Sequence, residues 1–177
     1  MSKLYMGFDA GTQSVKVAVY DEQFNCLTSH SLPTHLHYPQ PGWVEMSADE
    51  FLEITVKSMA ACAQSLREMG RDPKDVCAVM GDGIICGIAG IDEDGKAITP
   101  YVNYLDSRTR DDVEALKAKN LDIWGRETGN AEPNMMFPAM FARWFMKNVP
   151  AWKEKGVKFV HNLSLIHISE PTRLDVI

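Results

Sequence analysis

An α/β layered domain is predicted by three observations: strand-like segments joined by tight turns at the start of the chain, a long capped amphipathic helix after them, and renewed alternation of strand and helix patterns to about residue 160. The 177 residues suffice for one domain with a core, and 45% apolar and 24% charged residues are ordinary for a globular protein.

Leu4 to Phe8 reads as a strand, followed by a turn at Asp9-Ala10-Gly11-Thr12. In the second strand, Ser14 to Tyr20, two-residue alternation puts Val15, Val17 and Val19 on one face. A polar turn from Asp21 to Asn25 leads into a weaker third strand, Cys26 to His37. Pro39, Pro41 and Gly42 mark a loop. Ser47 with Glu50 then forms a capping box, Leu52, Val56, Met59, Ala63 and Leu66 recur at helical spacing, and Gly70 closes the helix. Val76 to Met80 reads as a buried strand, and Ile84–Ile91 with Ala97–Leu105 as two arms of a hairpin around Asp92-Glu93-Asp94-Gly95. Ser107 is predicted to cap the next helix, whose first turns hold Asp111 and Asp112, where carboxylates suit the helix dipole. A helix from Pro138 to Lys147 carries Met140, Phe141, Trp144 and Phe145, and Val157 to Val160 is a last strand.

The net charge of −6, with no basic stripe, disfavours nucleic acid and anionic membrane as partners. No signal-peptide core or membrane-length apolar run is present. Cys26, Cys62, Cys77 and Cys86 are widely spaced without a C-x-x-C pair, which favours reduced thiols and a cytoplasmic location over disulfides or zinc. His35 and His37 share a strand face but lack a third ligand.

Two nucleotide motifs are approached and missed. Gly90 to Ala97 nearly spells a G-x-x-x-x-G-K-[ST] phosphate loop, but Ala97 lacks the metal-binding hydroxyl, three carboxylates line the loop, and Pro100 stands where a helix should begin. Gly81-Asp82-Gly83 resembles a dinucleotide fingerprint without its third glycine and leads into another strand.

The informative stretch is Gly7-Phe8-Asp9-Ala10-Gly11-Thr12-Gln13-Ser14-Val15-Lys16. Gly11 permits close backbone approach, Thr12 and Ser14 offer hydroxyls and N–H groups to phosphate oxygens, Lys16 adds positive charge, and Asp9 can hold Mg2+ through water. A β-turn rich in turn-forming residues would read the same way.

This stretch resembles the first phosphate motif of the actin, hexokinase and chaperone ATPase superfamily, which has a ribonuclease H-like fold. Within it the chain is similar to the FGGY carbohydrate kinases, especially the xylulokinase-like branch, over residues 4 to about 162. Gly42-Trp43-Val44-Glu45-Met46 matches the family's Gly-Trp-x-Glu entry to the capped helix. Gly83-Ile84-Ile85-Cys86-Gly87 stands at its Gly-Gln-Met-His-Gly, and Tyr104-Leu105-Asp106-Ser107-Arg108 at its Trp-x-Asp-x-Arg.

The resemblance implies an incomplete N-terminal domain over residues 1–162, ATP and Mg2+ held at Asp9, Gly11, Thr12, Gln13, Ser14 and Lys16, and a sugar or polyol against Ile85, Cys86, Asp106 and Arg108. Asp106 capping the following helix is the structural alternative. Apolar Ile84 and Cys86, in place of Gln and His, remove hydrogen bonds a hydroxylated ligand would use and argue for an acceptor other than xylulose. The resemblance puts the catalytic base downstream, so this stretch alone is expected to be inactive, and it allows a homodimer for the full-length protein. A non-catalytic sugar or nucleotide sensor on the same fold is the alternative.

Residues 163–177, from Leu163-Ser164-Leu165-Ile166-His167 onward, leave the family pattern and resemble a translated sequencing adapter, a non-native tail. On that reading Met140, Trp144 and Phe145 are expected to lack covering elements.

Overall fold

The computed structural model describes residues 3–149 and 156–169. They fall into two compact units, one of residues 3–35, 47–84 and 162–169, the other of residues 36–46, 85–149 and 156–161.

In the first unit, β1 (Leu4–Ala10), β2 (Ser14–Tyr20), β3 (Cys26–Pro33) and β5 (Val76–Gly83) form a sheet in the order β3-β2-β1-β5. The pairs β1/β2 and β2/β3 are antiparallel, whereas β1 and β5 are parallel. A parallel pair needs a long crossover, and α1 (Ala48–Glu68) lies on that connection. Val15, Val17 and Val19 are buried, as alternation predicted, and so are Leu4, Met6 and Ala10, the last of which was expected in the turn. α1 packs on β2 and β3 through a face containing Phe51, Ile54, Met59, Cys62, Ala63 and Leu66. Each large apolar side chain so buried contributes roughly 1.5–3 kcal/mol over an exposed one. The helix is rotated from the predicted face in its first half, where Phe51 and Ile54 point inward and Leu52 and Val56 are only half-buried. Ser47 Oγ accepts the Glu50 N–H at 3.2 Å, but the Glu50 carboxylate meets His35 Nδ1 at 2.6 Å.

Two strands run further than predicted. β1 continues through Asp9 to Ala10 because Asp9 lies on the sheet's open face, where a charge needs no burial. β5 continues through Gly81-Asp82-Gly83, whose glycines mark close packing rather than a turn. A Cβ at Gly81 would lie 2.1 Å from the Phe8 ring, and one at Gly83 2.5 Å from Asn162 Nδ2. A further helix, α4 (Asn162–Ser169), packs on α1 and β5 where no element was expected. The rest of the proposed tail, residues 170–177, lies outside the described residues.

The second unit contains β4 (Glu45–Met46) paired with β7 (Tyr101–Val102), and β6 (Ala89–Ile91) paired with β8 (Lys158–Val160). The predicted hairpin is present in shortened form. Bridges join Ile88 to Val102 and Ile91 to Ala97, and Asp92 Oδ1 accepts the N–H groups of Asp94 and Lys96 in its turn. Residues 84–87 are not strand, and Cys86 among them takes a left-handed φ of 67°. α2 (Arg110–Lys117) begins after Thr109. Ser107 does not cap it, since its hydroxyl donates to the Gly42 carbonyl at 3.1 Å. α3 (Pro138–Asn148) buries Met140, Phe141 and Phe145; Phe141 and Phe145 pack with Ile88 and Val102, and Trp144 lies against them. These side chains are therefore covered within the unit, contrary to expectation. Exposed apolar groups occur instead at Met80 and Ile85, 80% and 72% accessible.

Candidate functional site

The open face of the first sheet is ordered by strand register. Asp9 pairs with Lys16 on β2 and with Asp82 on β5, and Lys16 pairs with Ser31 on β3. Residues paired across neighbouring strands point to the same face, so Ser31, Lys16, Asp9 and Asp82 form one polar row. The next row, Ser29, Ala18, Gly7 and Met80, is made mostly of small residues. Both rows line a groove of about 780 Å³. Lys16 Nζ lies 3.9 Å from Asp9 Oδ2, with both side chains more than half exposed.

The turn from Gly11 to Gln13 follows Asp9. The Gly11 N–H donates to the Ser14 carbonyl at 3.1 Å, and a Cβ at Gly11 would come 3.0 Å from that oxygen, so only glycine fits without displacement. Thr34, just past β3, donates its hydroxyl to the Thr12 carbonyl at 2.7 Å and its N–H to the Gln13 carbonyl at 3.1 Å. In a trans peptide the N–H points opposite to the C=O. Tying these two carbonyls to Thr34 therefore aims the Gln13 and Ser14 N–H groups away from it. The sequence did not single out Thr34, because its contribution comes from strand pairing. Asp9, Gly11, Thr12, Gln13, Ser14 and Lys16 are thus brought together on one hairpin.

Asp106 and Arg108 lie in the second unit in a different setting. Asp106 accepts from the Val44 N–H at 2.6 Å, the Arg108 N–H at 2.8 Å, Arg108 Nε at 2.9 Å and Arg108 Nη2 at 2.8 Å. Arg108 Nη2 also donates to Glu45 Oε1 at 2.6 Å. The guanidinium carbon stands 3.9 Å from the Trp43 ring centroid and 5.2 Å from that of Trp144. Both side chains of the Asp106–Arg108 pair are buried. Together these contacts fasten the Gly42–Glu45 segment to the turn before α2, and the exposed residues of that turn are Tyr104 and Leu105.

Ile85 is exposed and Cys86 half-buried. The Tyr101 ring fills the space beside Gly87, where a Cβ would meet its hydroxyl oxygen at 2.3 Å. Burial pushes the Tyr101 phenol well above its ordinary range, with the Cys86 thiol adding to the shift. A left-handed φ on a non-glycine residue costs energy, and such strain is concentrated at ligand-contacting segments.

A family profile described as "FGGY family of carbohydrate kinases, N-terminal domain" matches residues 4–169. The chain belongs to this family. Glycerol kinase from Thermococcus kodakarensis is 27% identical over 158 residues, a stretch covering 89% of this chain and 31% of that protein. Among solved structures, xylulose kinase from Rhodospirillum rubrum superposes with a TM-score of 0.85 at 21% identity, covering 94% of this chain and 33% of that one. Plasmodium falciparum glycerol kinase, solved with ADP, superposes with a TM-score of 0.79 at 21% identity, covering 93% and 33%. This FGGY chain therefore spans about a third of the length of the relatives it matches. The neighbours establish the predicted fold, that of the actin and hexokinase-like ATPases, for an N-terminal domain. Among the described residues, no helix is long and apolar enough to cross a membrane.

Proposed function

We propose that this chain is the phosphate-holding part of an ATP-dependent kinase that phosphorylates a hydroxyl of a polyol or ketose. The observation that carries the reading is the hairpin itself, with exposed Asp9 and Lys16 side by side on a groove and the Gly11–Ser14 turn held by Thr34. Phosphoryl transfer depends on positioning and charge stabilisation more than on covalent chemistry. Lys16 would balance phosphate charge, the turn's N–H groups would orient the phosphate oxygens, and Asp9 would hold Mg2+.

Mg2+ takes hard oxygen ligands, one or two carboxylates with the remainder from water and phosphate, and the Asp9 carboxylate with the Thr12 and Ser14 hydroxyls is a donor set of that kind. The metal would screen phosphate charge. The carboxylate that accepts the proton of the attacking hydroxyl is placed, by resemblance, beyond the matched region.

For the acceptor, the sequence relatives are named glycerol kinases and the structural neighbours include xylulose, glycerol and gluconate kinases. A polyol or a ketose of that size is the proposed acceptor class. Ile85 and Cys86 remain candidate contacts. In the turn bearing Asp106 and Arg108, that pair shapes the loop, and Tyr104 and Leu105 are the side chains open to a ligand.

The decisive experiment expresses the full-length reading frame and follows ATP consumption across a panel of polyols, pentuloses and hexuloses. One acceptor class should give turnover, and Asp9→Asn should lower kcat by about 100-fold or more. Absence of acceptor-dependent ATP consumption, or an Asp9→Asn enzyme as fast as wild type, contradicts the reading.

A further inference from the structure

We propose that Asp82 is a second carboxylate for the divalent cation held at Asp9, an inference that rests on the kinase reading above. The sequence offers Asp82 only as part of a failed dinucleotide fingerprint, and no motif of the phosphate hairpin includes it. Sheet register gives it a different place. β5 runs parallel to β1 with Asp82 directly opposite Asp9, and both residues line the same groove. Neighbouring strands are about 4.8 Å apart, so the two carboxylates leave the sheet side by side on one face.

The row they belong to is electrostatically incomplete. Lys16 stands on the far side of Asp9, paired with it at 3.9 Å, which sets one ammonium against two carboxylates. Like charges directly opposite on adjacent strands destabilise a sheet, and a divalent cation between them reverses the sign. Asp82 is also held in place. One of its oxygens accepts the Gly83 N–H at 2.7 Å. The flanking glycines are each packed against a neighbour, Gly81 against the Phe8 ring and Gly83 against Asn162.

The chemistry fits Mg2+ and not a protein-caged metal. Among the described residues no group of three or more His, Cys, Asp or Glu side chains could enclose an ion. A cation here would take two carboxylates from the sheet and its remaining ligands from water and phosphate oxygens.

The test titrates Mn2+, followed by electron paramagnetic resonance, into the full 177-residue chain and its Asp82→Asn, Asp82→Ser and Asp9→Asn variants. Each substitution should weaken Mn2+ binding about tenfold or more. Thermal melts give a second readout that a merely structural residue would not produce. In EDTA the Asp82→Asn chain should melt at or above the wild-type temperature, because a repulsion is removed, whereas added Mg2+ should raise the melting temperature of wild type but not of the variant. Wild-type Mn2+ affinity in both Asp82 variants, or no Mn2+ site in the wild-type chain, overturns the assignment. Acceptor-dependent ATP consumption by the full-length protein separates the two readings. If it is present while Asp82 proves irrelevant to Mn2+, only the second carboxylate falls; if it is absent too, the kinase reading falls with it.

Discussion

Asp9–Lys16 and Asp106–Arg108 are both aspartate–base pairs in stretches that resemble family motifs, yet they have opposite physical characters. Lys16 and Asp9 sit 3.9 Å apart in solvent on an open sheet face. Arg108 and Asp106 are buried, joined by two guanidinium hydrogen bonds of 2.8 and 2.9 Å, and enclosed by Glu45 and Trp43. A solvated pair can exchange its partner for a ligand at little cost, whereas a buried, fully hydrogen-bonded pair cannot release either member without leaving a charge unpaired. Motif position alone therefore does not show which charges are open to a ligand; burial distinguishes the two pairs.

The strongest test of that contrast is Arg108→Ala. Asp106 would be left buried without its guanidinium partner, holding only the Val44 and residue-108 backbone N–H groups, which costs about 3–5 kcal/mol, and the Trp43 contact would be lost as well. Urea unfolding of the full chain should show this as a large drop in midpoint. Arg108→Lys should recover only part of it, because an ammonium reproduces neither the forked hydrogen bonds nor the stacking. A loss below about 1 kcal/mol for Arg108→Ala would mean that the pair is not the fastener its geometry indicates.

The same contrast explains what could be read from the sequence. The open hairpin was legible because its chemistry is local: Asp9, Gly11, Thr12, Ser14 and Lys16 lie within a few residues of one another, and the alternation of Val15, Val17 and Val19 fixes which face remains for them. Asp106 and Arg108 were recognised as a motif but expected at the ligand, since their partners Val44 and Glu45 lie some sixty residues earlier and only tertiary pairing brings them in. Ser107 was misread for the same reason, its hydroxyl being taken by Gly42. Gly81 and Gly83 read as an incomplete dinucleotide fingerprint, because the Phe8 ring and Asn162 that occupy their space cannot be inferred from local pattern. Residues 84–87 fit a strand pattern, but Cys86 among them adopts a left-handed conformation that no propensity predicts.

Cysteine extends the comparison to a second ionisable group. Cys62 is fully buried, its thiol donating to the Val17 carbonyl at 3.6 Å, and burial pushes its pKa up to about 11. Cys26 is exposed. A group whose pKa is raised on folding contributes stability that is intact below its unfolded value, near 9, and is lost as pH rises toward about 11, because only the unfolded chain ionises in that window. Tyr101, also shifted upward by burial, adds to the same loss above about pH 10. Stability measured from pH 8 to 11 should therefore fall, by on the order of 1–2 kcal/mol for the thiol. Cys62→Ala, although less stable at every pH, should flatten that decline, whereas Cys26→Ser should leave it unchanged. Under native conditions a thiol reagent should modify Cys26 well before Cys62. A decline of equal slope in both variants would show that burial at Cys62 does not set its ionisation.

The smallest expected effect on stability is the most informative about function. Lys16→Ala removes an exposed partner of Asp9, and such pairs contribute about 0–1 kcal/mol, so the melting temperature should move little. Nucleotide affinity should respond differently. A charge-assisted hydrogen bond to phosphate is worth about 1.5–3 kcal/mol, which corresponds to a loss of roughly tenfold or more in equilibrium binding, and the affinity that remains should depend less on ionic strength because one screened attraction is gone. Lys16→Arg should keep most of both the affinity and its salt dependence. If Lys16→Ala instead lowers stability as far as Arg108→Ala does while leaving nucleotide affinity untouched, the exposed pair would be architectural, and the distinction between the two aspartate–base pairs would collapse at the residue on which the phosphate reading depends.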